Sequence, residues 1–224
     1  MVKKTSENSS RGMVVRVKTA KGRTNSQTRW LARQLNDPYV ARAKREGYRS
    51  RSAYKLLELD EKFHFLKKGK QVVDLGAAPG GWLQVAVARC GEGKVVALDI
   101  LEMDAVPGAT ILHMDFMDDA APDALRQHIH GADIVLSDMA PNASGQQDLD
   151  HMRIVILVEA AFDFACEVLR PGGTFVAKVW QGGTENDLLT RIKKRFAAVK
   201  HAKPKSSRAD SAETFVVATG FRPG

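Results

Sequence analysis

The segment Asp74-Leu75-Gly76-Ala77-Ala78-Pro79-Gly80-Gly81-Trp82 joins an apolar run to a helix-like one. Glycines at such a turn let backbone N–H groups and a ligand approach closely. A dinucleotide site would place G-x-G-x-x-G here, to seat a pyrophosphate on the helix N-terminus. The loop reads G-A-A-P-G-G instead: Ala78 stands where the second glycine is needed, and Pro79 removes an N–H donor. No G-K-[ST] closes it as a P-loop would. A strand, a glycine loop and a helix without a phosphate cradle point to a nucleoside-type ligand that lacks a pyrophosphate. Asp99, 23 residues after Gly76, is placed to accept from both hydroxyls of a ribose. Asp115, in Met114-Asp115-Phe116, is placed to accept from an exocyclic adenine amine. Singly, each aspartate reads as a strand-end or turn residue. Together they describe an adenosine held across the carboxyl ends of three neighbouring strands.

The elements that must position these residues alternate along the chain. Short apolar runs at 71–75, 94–99, 110–114, 133–137, 174–179 and 213–219 read as strands, several of them apolar enough to be buried on both faces. Helical segments fit between them at 81–90, 120–129, 152–169 and 184–197, with Gly91 and Pro171-Gly172-Gly173 as stops. A further helix, about 50–62, precedes the first strand and carries Lys55. No internal repeat interrupts the series. Strand and helix in alternation predict an α/β fold with a mostly parallel sheet flanked by helices.

The 224 residues allow one domain with a tail. The net charge of +8 is very unevenly spread: residues 1–55 hold 15 Lys/Arg and 3 Asp/Glu, residues 56–189 hold 10 and 21, and residues 190–224 hold 9 and 2. An acidic core between two basic ends suggests a bound polyanion beside a site of different chemistry. The alternative is a solvated basic tail. Residues 1–29, basic with only Glu7 acidic, read as a disordered arm before a domain over 30–224 that begins with a basic helical segment. The same composition also suits an organellar transit peptide, which would make the location mitochondrial. Cys90 and Cys166 belong to no C-x-x-C, so neither a disulfide framework nor a metal site is expected, and a reducing cytoplasm fits. No apolar run approaches the ~18 residues of a membrane span.

Three segments then become specific: Val72 through Trp82, Ser137-Asp138-Met139-Ala140-Pro141-Asn142, and Val176-Ala177-Lys178-Val179-Trp180-Gln181-Gly182. In this order they resemble the FtsJ/RrmJ (RlmE) family of S-adenosylmethionine-dependent RNA ribose 2′-O-methyltransferases, over about residues 39–220. Arg49 to Lys55 and Pro204 to Arg208 are similar to family segments too. The resemblance implies a Rossmann-like methyltransferase fold with seven strands and S-adenosyl-L-methionine as cofactor. It implies that Gly76, Gly80 and Trp82 shape the cofactor pocket, that Asp99 takes the ribose and Asp115 the adenine end, and that Asp138 lies near the methyl donor. It also implies a catalytic tetrad of Lys55, Asp138, Lys178 and Glu213. A ribose 2′-hydroxyl is a weak nucleophile that needs alignment and a proton acceptor. Lys178 is the candidate base; burial and the Lys55 charge would favour its giving up a proton. The competing mechanism keeps both lysines charged and uses the tetrad for positioning. Amine-methylating enzymes of this fold commonly carry Asn/Asp-Pro-Pro-aromatic where Asp138-Met139-Ala140-Pro141 stands, so a hydroxyl target is favoured.

The basic ends supply Arg42, Lys44, Arg45, Arg49 and Arg51 before the core, and Lys193, Lys194, Arg195, Lys200, Lys203, Lys205 and Arg208 after it, for phosphate contacts. The resemblance is to the bacterial branch acting on a uridine of large-subunit (23S) ribosomal RNA in the 50S particle, and a monomer suits that task. Three alternatives remain at this stage: a 2′-O-methyltransferase acting on transfer RNA, a non-catalytic ribosome-assembly factor that keeps the fold, and a nicotinamide dehydrogenase, which the missing diphosphate loop argues against.

Overall fold

The strand-like runs at 72–75 and 95–99 are apolar on both faces except for single aspartates, so as strands they must be covered on both sides. The computed structural model, which describes Gly22 and residues 24–141, 145–180 and 186–224, covers them in that way. Three helices come first: α1 (Asn25–Leu35), α2 (Pro38–Glu46) and α3 (Ala53–Phe63). Then follow β1 (Val72–Leu75), α4 (Gly81–Cys90), β2 (Val95–Asp99), β3 (Ala109–His113), α5 (Ala121–Arg126), β4 (Ala132–Ser137), α6 (Gln147–Val168), β5 (Leu169–Trp180), α7 (Asn186–Arg195), β6 (Phe196–Ala202) and β7 (Glu213–Phe221).

The seven strands lie in the order β3-β2-β1-β4-β5-β7-β6. The first five are parallel, and β7 is antiparallel to both of its neighbours. Alternation along each strand builds two cores. Val73, Leu75, Leu98, Val135 and Phe175 pack under α5, α6 and α7. Val72, Ala97, Leu136, Val176 and Phe215 pack with Leu56 and Leu59 of α3 and Trp82 and Leu83 of α4. The strand order reverses between β1 and β4, which opens a crevice at their carboxyl ends, where open α/β sheets bind ligands.

Helix α2 falls in the basic helical segment expected at the start of the domain, and three other elements differ from the sequence reading for local causes. Helix α2 has a complete set of end signals: the Asp37 side chain accepts from the Tyr39 N–H at 3.0 Å, Pro38 opens the helix, and Gly47 closes it in the left-handed region at φ 78°. Helix α1 starts at Asn25, inside the segment expected as an arm, while residues 1–21 lie outside the described residues. Strand β5 begins at Leu169, which pairs with Ala132, and the pairing slips before Thr174 meets Ile134, across a Gly172 at φ +80°. The helix expected over 184–197 ends at Arg195, and Phe196 to Ala202 form an edge strand whose exposed Lys200 and His201 hide its strand character from a pattern search.

Candidate active site

The loop after β1 packs against the loop after β4 with no room for a side chain between them. Gly76 has φ +78°, and a Cβ there would lie 2.8 Å from the backbone N and Cα of Met139. Its N–H donates to the Leu98 carbonyl at 2.9 Å, and the Asp138 N–H donates to the Leu75 carbonyl at 3.1 Å. Gly80, at φ +105°, caps α4 and sits against the Arg49 side chain. The Arg49 guanidinium donates to the carbonyls of Pro79 (3.4 Å), Asp104 (2.6 Å) and Ala105 (2.7 Å), bracing the glycine loop against the segment after β2. Arg49, expected among the phosphate contacts, is thus consumed by backbone.

Asp99 ends β2 and is almost buried. The Ala78 N–H donates to its Oδ2 at 2.8 Å and the Leu101 N–H to its Oδ1 at 2.7 Å, which fixes the carboxylate and spends the loop's donor on protein. Asp115 accepts from the Met117 N–H at 2.9 Å. Both aspartates line a cavity of about 520 Å³, with Gly76, Ala78, Asp138, Met139 and Pro141 on the floor and sides. That volume lies within the ~300–1,000 Å³ of small-molecule sites. The remaining wall is apolar, from Leu98, Ile100, Leu101, Phe116 and Met117, closed by Arg153, Ile156 and Leu157 of α6. Sequence reasoning passed over the α6 residues, since nothing in a helix pattern says that one stretch leaves the core to wall a cavity. Gly80 and Trp82 are not part of this lining. Trp82 is buried, donates its indole N–H to the Ser52 carbonyl at 2.9 Å and packs on Phe215 at 5.6 Å between ring centres, so it ties α3 to the sheet beside the site.

The four polar residues implied by the resemblance form two ion pairs. Lys55 Nζ is 2.6 Å from Glu213 Oε1, which also accepts from Ser207 Oγ at 3.0 Å. Lys178 Nζ donates to the Asp138 carbonyl at 2.6 Å and stands 3.1 Å from Asp138 Oδ1. The Asp138 carboxylate is therefore an ion-pair partner of Lys178 as its carbonyl is a hydrogen-bond acceptor. Strand register accounts for the grouping. Lys178 is opposite Phe215 and Trp180 opposite Glu213, which puts both charged residues on the face that α3 covers and brings Lys55 to the same place. Lys55 Nζ is 5.9 Å from the centre of the Phe215 ring. Asp138 belongs to the cavity and to the lysine pair at once.

One acid escaped the sequence reading as a site residue. Asp74 of β1 is fully buried, and neither carboxyl oxygen has a hydrogen-bond partner among the described residues. Burial, then the charges of Asp138 and Asp99, push its carboxyl well above the ordinary carboxylate range. It lies in β1 immediately before the glycine loop and is not among the residues that line the cavity.

The basic residues divide. Arg42 pairs with Glu46 at 2.8 Å and stacks on Tyr54 at 4.5 Å, and Arg51 pairs with Asp37 at 2.6 Å. Lys193, Lys194 and Arg195 end α7 where Phe196 pairs with Phe221, at the opposite end of β7 from Glu213. Lys203, Lys205 and Arg208 belong to the segment entering β7 on the Glu213 side.

Known proteins carry the same pattern. The model of the family described as FtsJ-like methyltransferase matches residues 48–221. The ribosomal RNA large subunit methyltransferase E of Paramagnetospirillum magneticum is 61% identical over 220 residues, 95% of this chain and 90% of the relative. The protein of that name from Parvibaculum lavamentivorans is 59% identical over 224 residues, 95% of this chain and 88% of the relative. Among solved structures, a ribosomal RNA methyltransferase from Plasmodium falciparum superimposes with a TM-score of 0.68 at 32% identity, covering 79% of this chain and 100% of the other.

Proposed function

Because the chain belongs to the FtsJ-like methyltransferase family, we propose that it methylates a ribose 2′-hydroxyl of RNA, that of a uridine in large-subunit (23S) ribosomal RNA carried by the 50S particle. The methyl donor in this reading is S-adenosyl-L-methionine, which when bound supplies an activated methyl group on a sulfonium. The cavity suits it: an apolar wall for a purine, Asp99 for ribose hydroxyls, Asp115 for an amine, and no phosphate cradle. Asp138 puts a carboxylate in the wall of the cavity, on the side where a cationic ligand would gain from it.

Asp138 carries this reading, since a single side chain lines the donor cavity and holds Lys178. A hydroxyl brought to Lys178 is therefore brought to the mouth of the cavity. In this reading Asp138 fixes the Lys178 amine through backbone and side chain, Lys178 orients that hydroxyl, and the amine, having first lost its own proton to solvent, takes the hydroxyl's. Glu213 and Ser207 hold Lys55 beside the same point, where its charge offsets the charge developing on the attacking oxygen. The relatives' names, the basic segment before β7 and the hydroxyl-type loop Asp138-Met139-Ala140-Pro141 support an RNA substrate. In this reading the protein acts as a monomer in the cytoplasm.

The test supplies methyl-labelled S-adenosylmethionine and large ribosomal subunits from cells lacking the protein, with Lys178→Ala alongside. One labelled 2′-O-methyl uridine in large-subunit RNA is expected, with a rate loss far above 10-fold for the variant and cofactor affinity preserved. Label on a base, label on transfer RNA alone, or near-normal turnover by Lys178→Ala would each refute the corresponding part.

A further inference from the structure

A separate cavity of about 350 Å³ opens between the start of α6 and the segment entering β7, lined by Gly145, Asp150, Trp180, Ser211 and Ala212. It shares no lining residue with the donor cavity. Its aromatic wall comes from the strand that carries Lys178. Trp180 stands two positions further along β5, about 7 Å of strand, and pairs in register with Glu213. The indole is half-buried: it packs against the core, and His151 stands beside it at 6.1 Å between ring centres. An aromatic ring held in this way in the wall of an open cavity offers a surface on which another flat ring can stack.

Two polar residues complete the lining. Asp150, in the first turn of α6, is buried. An ionised carboxylate accepts hydrogen bonds and donates none. Ser211 has the opposite character. Its N–H donates to the Arg208 carbonyl at 3.1 Å and its Oγ accepts from the Glu213 N–H at 3.2 Å, which leaves the hydroxyl proton to give.

Resting on the function proposed above, we infer that this cavity receives the base of the methylated nucleotide and selects uracil over cytosine, with Trp180 as the stacking surface and Asp150 and Ser211 as readers of the ring edge. The base leaves the ribose from the carbon next to the one that bears the 2′-oxygen, so a hydroxyl held at Lys178 brings its ring to the neighbourhood of Trp180. Uracil presents an N3–H donor beside a C4 carbonyl acceptor. The donor meets the Asp150 carboxylate, and the carbonyl meets the Ser211 hydroxyl. Cytosine presents the reverse, an N3 acceptor beside an N4 amine. Both contacts then fail together: N3 faces a carboxylate, and the amine faces a hydroxyl with one acceptor site already taken. A site whose polar groups go unpaired with the wrong ring discriminates far more strongly than one built on shape alone.

The test uses the full-length protein, methyl-labelled S-adenosylmethionine and two preparations of large ribosomal subunits from cells lacking the protein. One carries the natural uridine at the methylated position and the other a cytidine. The parent should methylate the uridine subunits about 100-fold faster or more. Asp150→Asn, whose amide can donate to N3 of cytosine, should lose about 10-fold on uridine and narrow the preference by about 10-fold or more. Ser211→Ala should narrow it as well. Trp180→Ala should raise the KM for uridine subunits about 10-fold with little change in kcat, and Trp180→Phe should restore it. Cofactor affinity should match the parent's in all four, since none of these residues lines the donor cavity. The base preference is read within each protein, so a variant of lowered stability still reports it. A preference that Asp150→Asn and Ser211→Ala leave at the parent's value, a parent indifferent to the base, or an unchanged KM for Trp180→Ala would overturn the inference while leaving the proposed reaction standing. Ribose label on neither preparation with the parent protein would overturn that reaction and this inference together.

Discussion

At the scale of single residues, the site depends on acids in unlike states. Asp99 and Asp138 are positioned by backbone N–H groups and a lysine, whereas Asp74 has neither solvent nor, among the described residues, a hydrogen-bond partner. Its raised carboxyl has a thermodynamic consequence. An acid whose pKa is higher in the folded chain than in the unfolded chain, where it is about 3.9, contributes stability in full below that lower value. The contribution is lost as pH rises through the folded value. Urea titrations of Asp74→Asn should therefore show a stability curve that falls less with rising pH than the parent's, the two diverging from about pH 4 upward. Parallel curves would mean that Asp74 is not isolated in the folded protein. The sequence displays this residue as a lone polar letter in an apolar strand, but its isolation depends on what α3 and α4 place over it. Likewise, Lys55 and Glu213 stand 158 positions apart, and only the likeness to a family, not spacing, joins them before the fold is known.

Elements carry the next layer. The start of β4 is tied to its neighbours through Asp133, which accepts from Lys70 Nζ and the Gln71 N–H, each at 2.8 Å, and pairs with Arg170 at 3.2 Å. Partial burial raises this carboxyl, but the Lys70 and Gln71 hydrogen bonds and the charges of Lys70 and Arg170 outweigh it and hold the group below its ordinary value. Its contribution is present in full above the unfolded value near pH 3.9 and is lost as pH falls through the lower folded value. Asp133→Asn should cost about 1–2 kcal/mol in urea unfolding at pH 7, with Lys70 and Arg170 partly screened by water. That difference should shrink below about pH 4; a constant difference down to pH 2 would contradict the account. Strands buried on both faces were legible because nothing else tolerates such apolar runs. The edge strand β6 was not, for Phe196 and Ala202 are buried with exposed Ala197, Ala198, Lys200 and His201 between them, a pattern that continues α7 without a break. Helix α6 was legible as a helix but not as a wall, since exposure of Ile156 follows from the crevice above it.

For the whole molecule, the basic ends do not form one surface. Charge counting joins Lys193 and Lys194 to Lys203 and Lys205, yet β7 separates the two groups by roughly 25 Å of strand. A contact several Debye lengths from the Lys178–Asp138 pair is attenuated by salt and by distance. Lys203→Gln/Lys205→Gln should thus raise the KM for large ribosomal subunits several-fold, while Lys193→Gln/Lys194→Gln should change it less than 2-fold. Equal effects would show that the particle wraps the lower end of the sheet as well. The α/β architecture was readable from alternation alone, because layers of strand and helix admit few arrangements. The division of charge was not, because it depends on which end of an antiparallel strand each segment meets.

That strand, β7, also orders events in time. It is the last of the seven to be synthesised and yet lies inside the sheet, between β5 and β6. Until it has left the ribosome, β5 exposes an unpaired edge, β6 has no sheet to join, and Lys55 lacks its carboxylate. A nascent chain can bring together the residues lining the cavity beside Asp138, which lie between Gly76 and Leu157, but the Lys55–Glu213 pair forms only when this late strand docks. Pairing of β7 with β5 spans a long stretch of chain and can form only after β6 and the segment that follows it have been made.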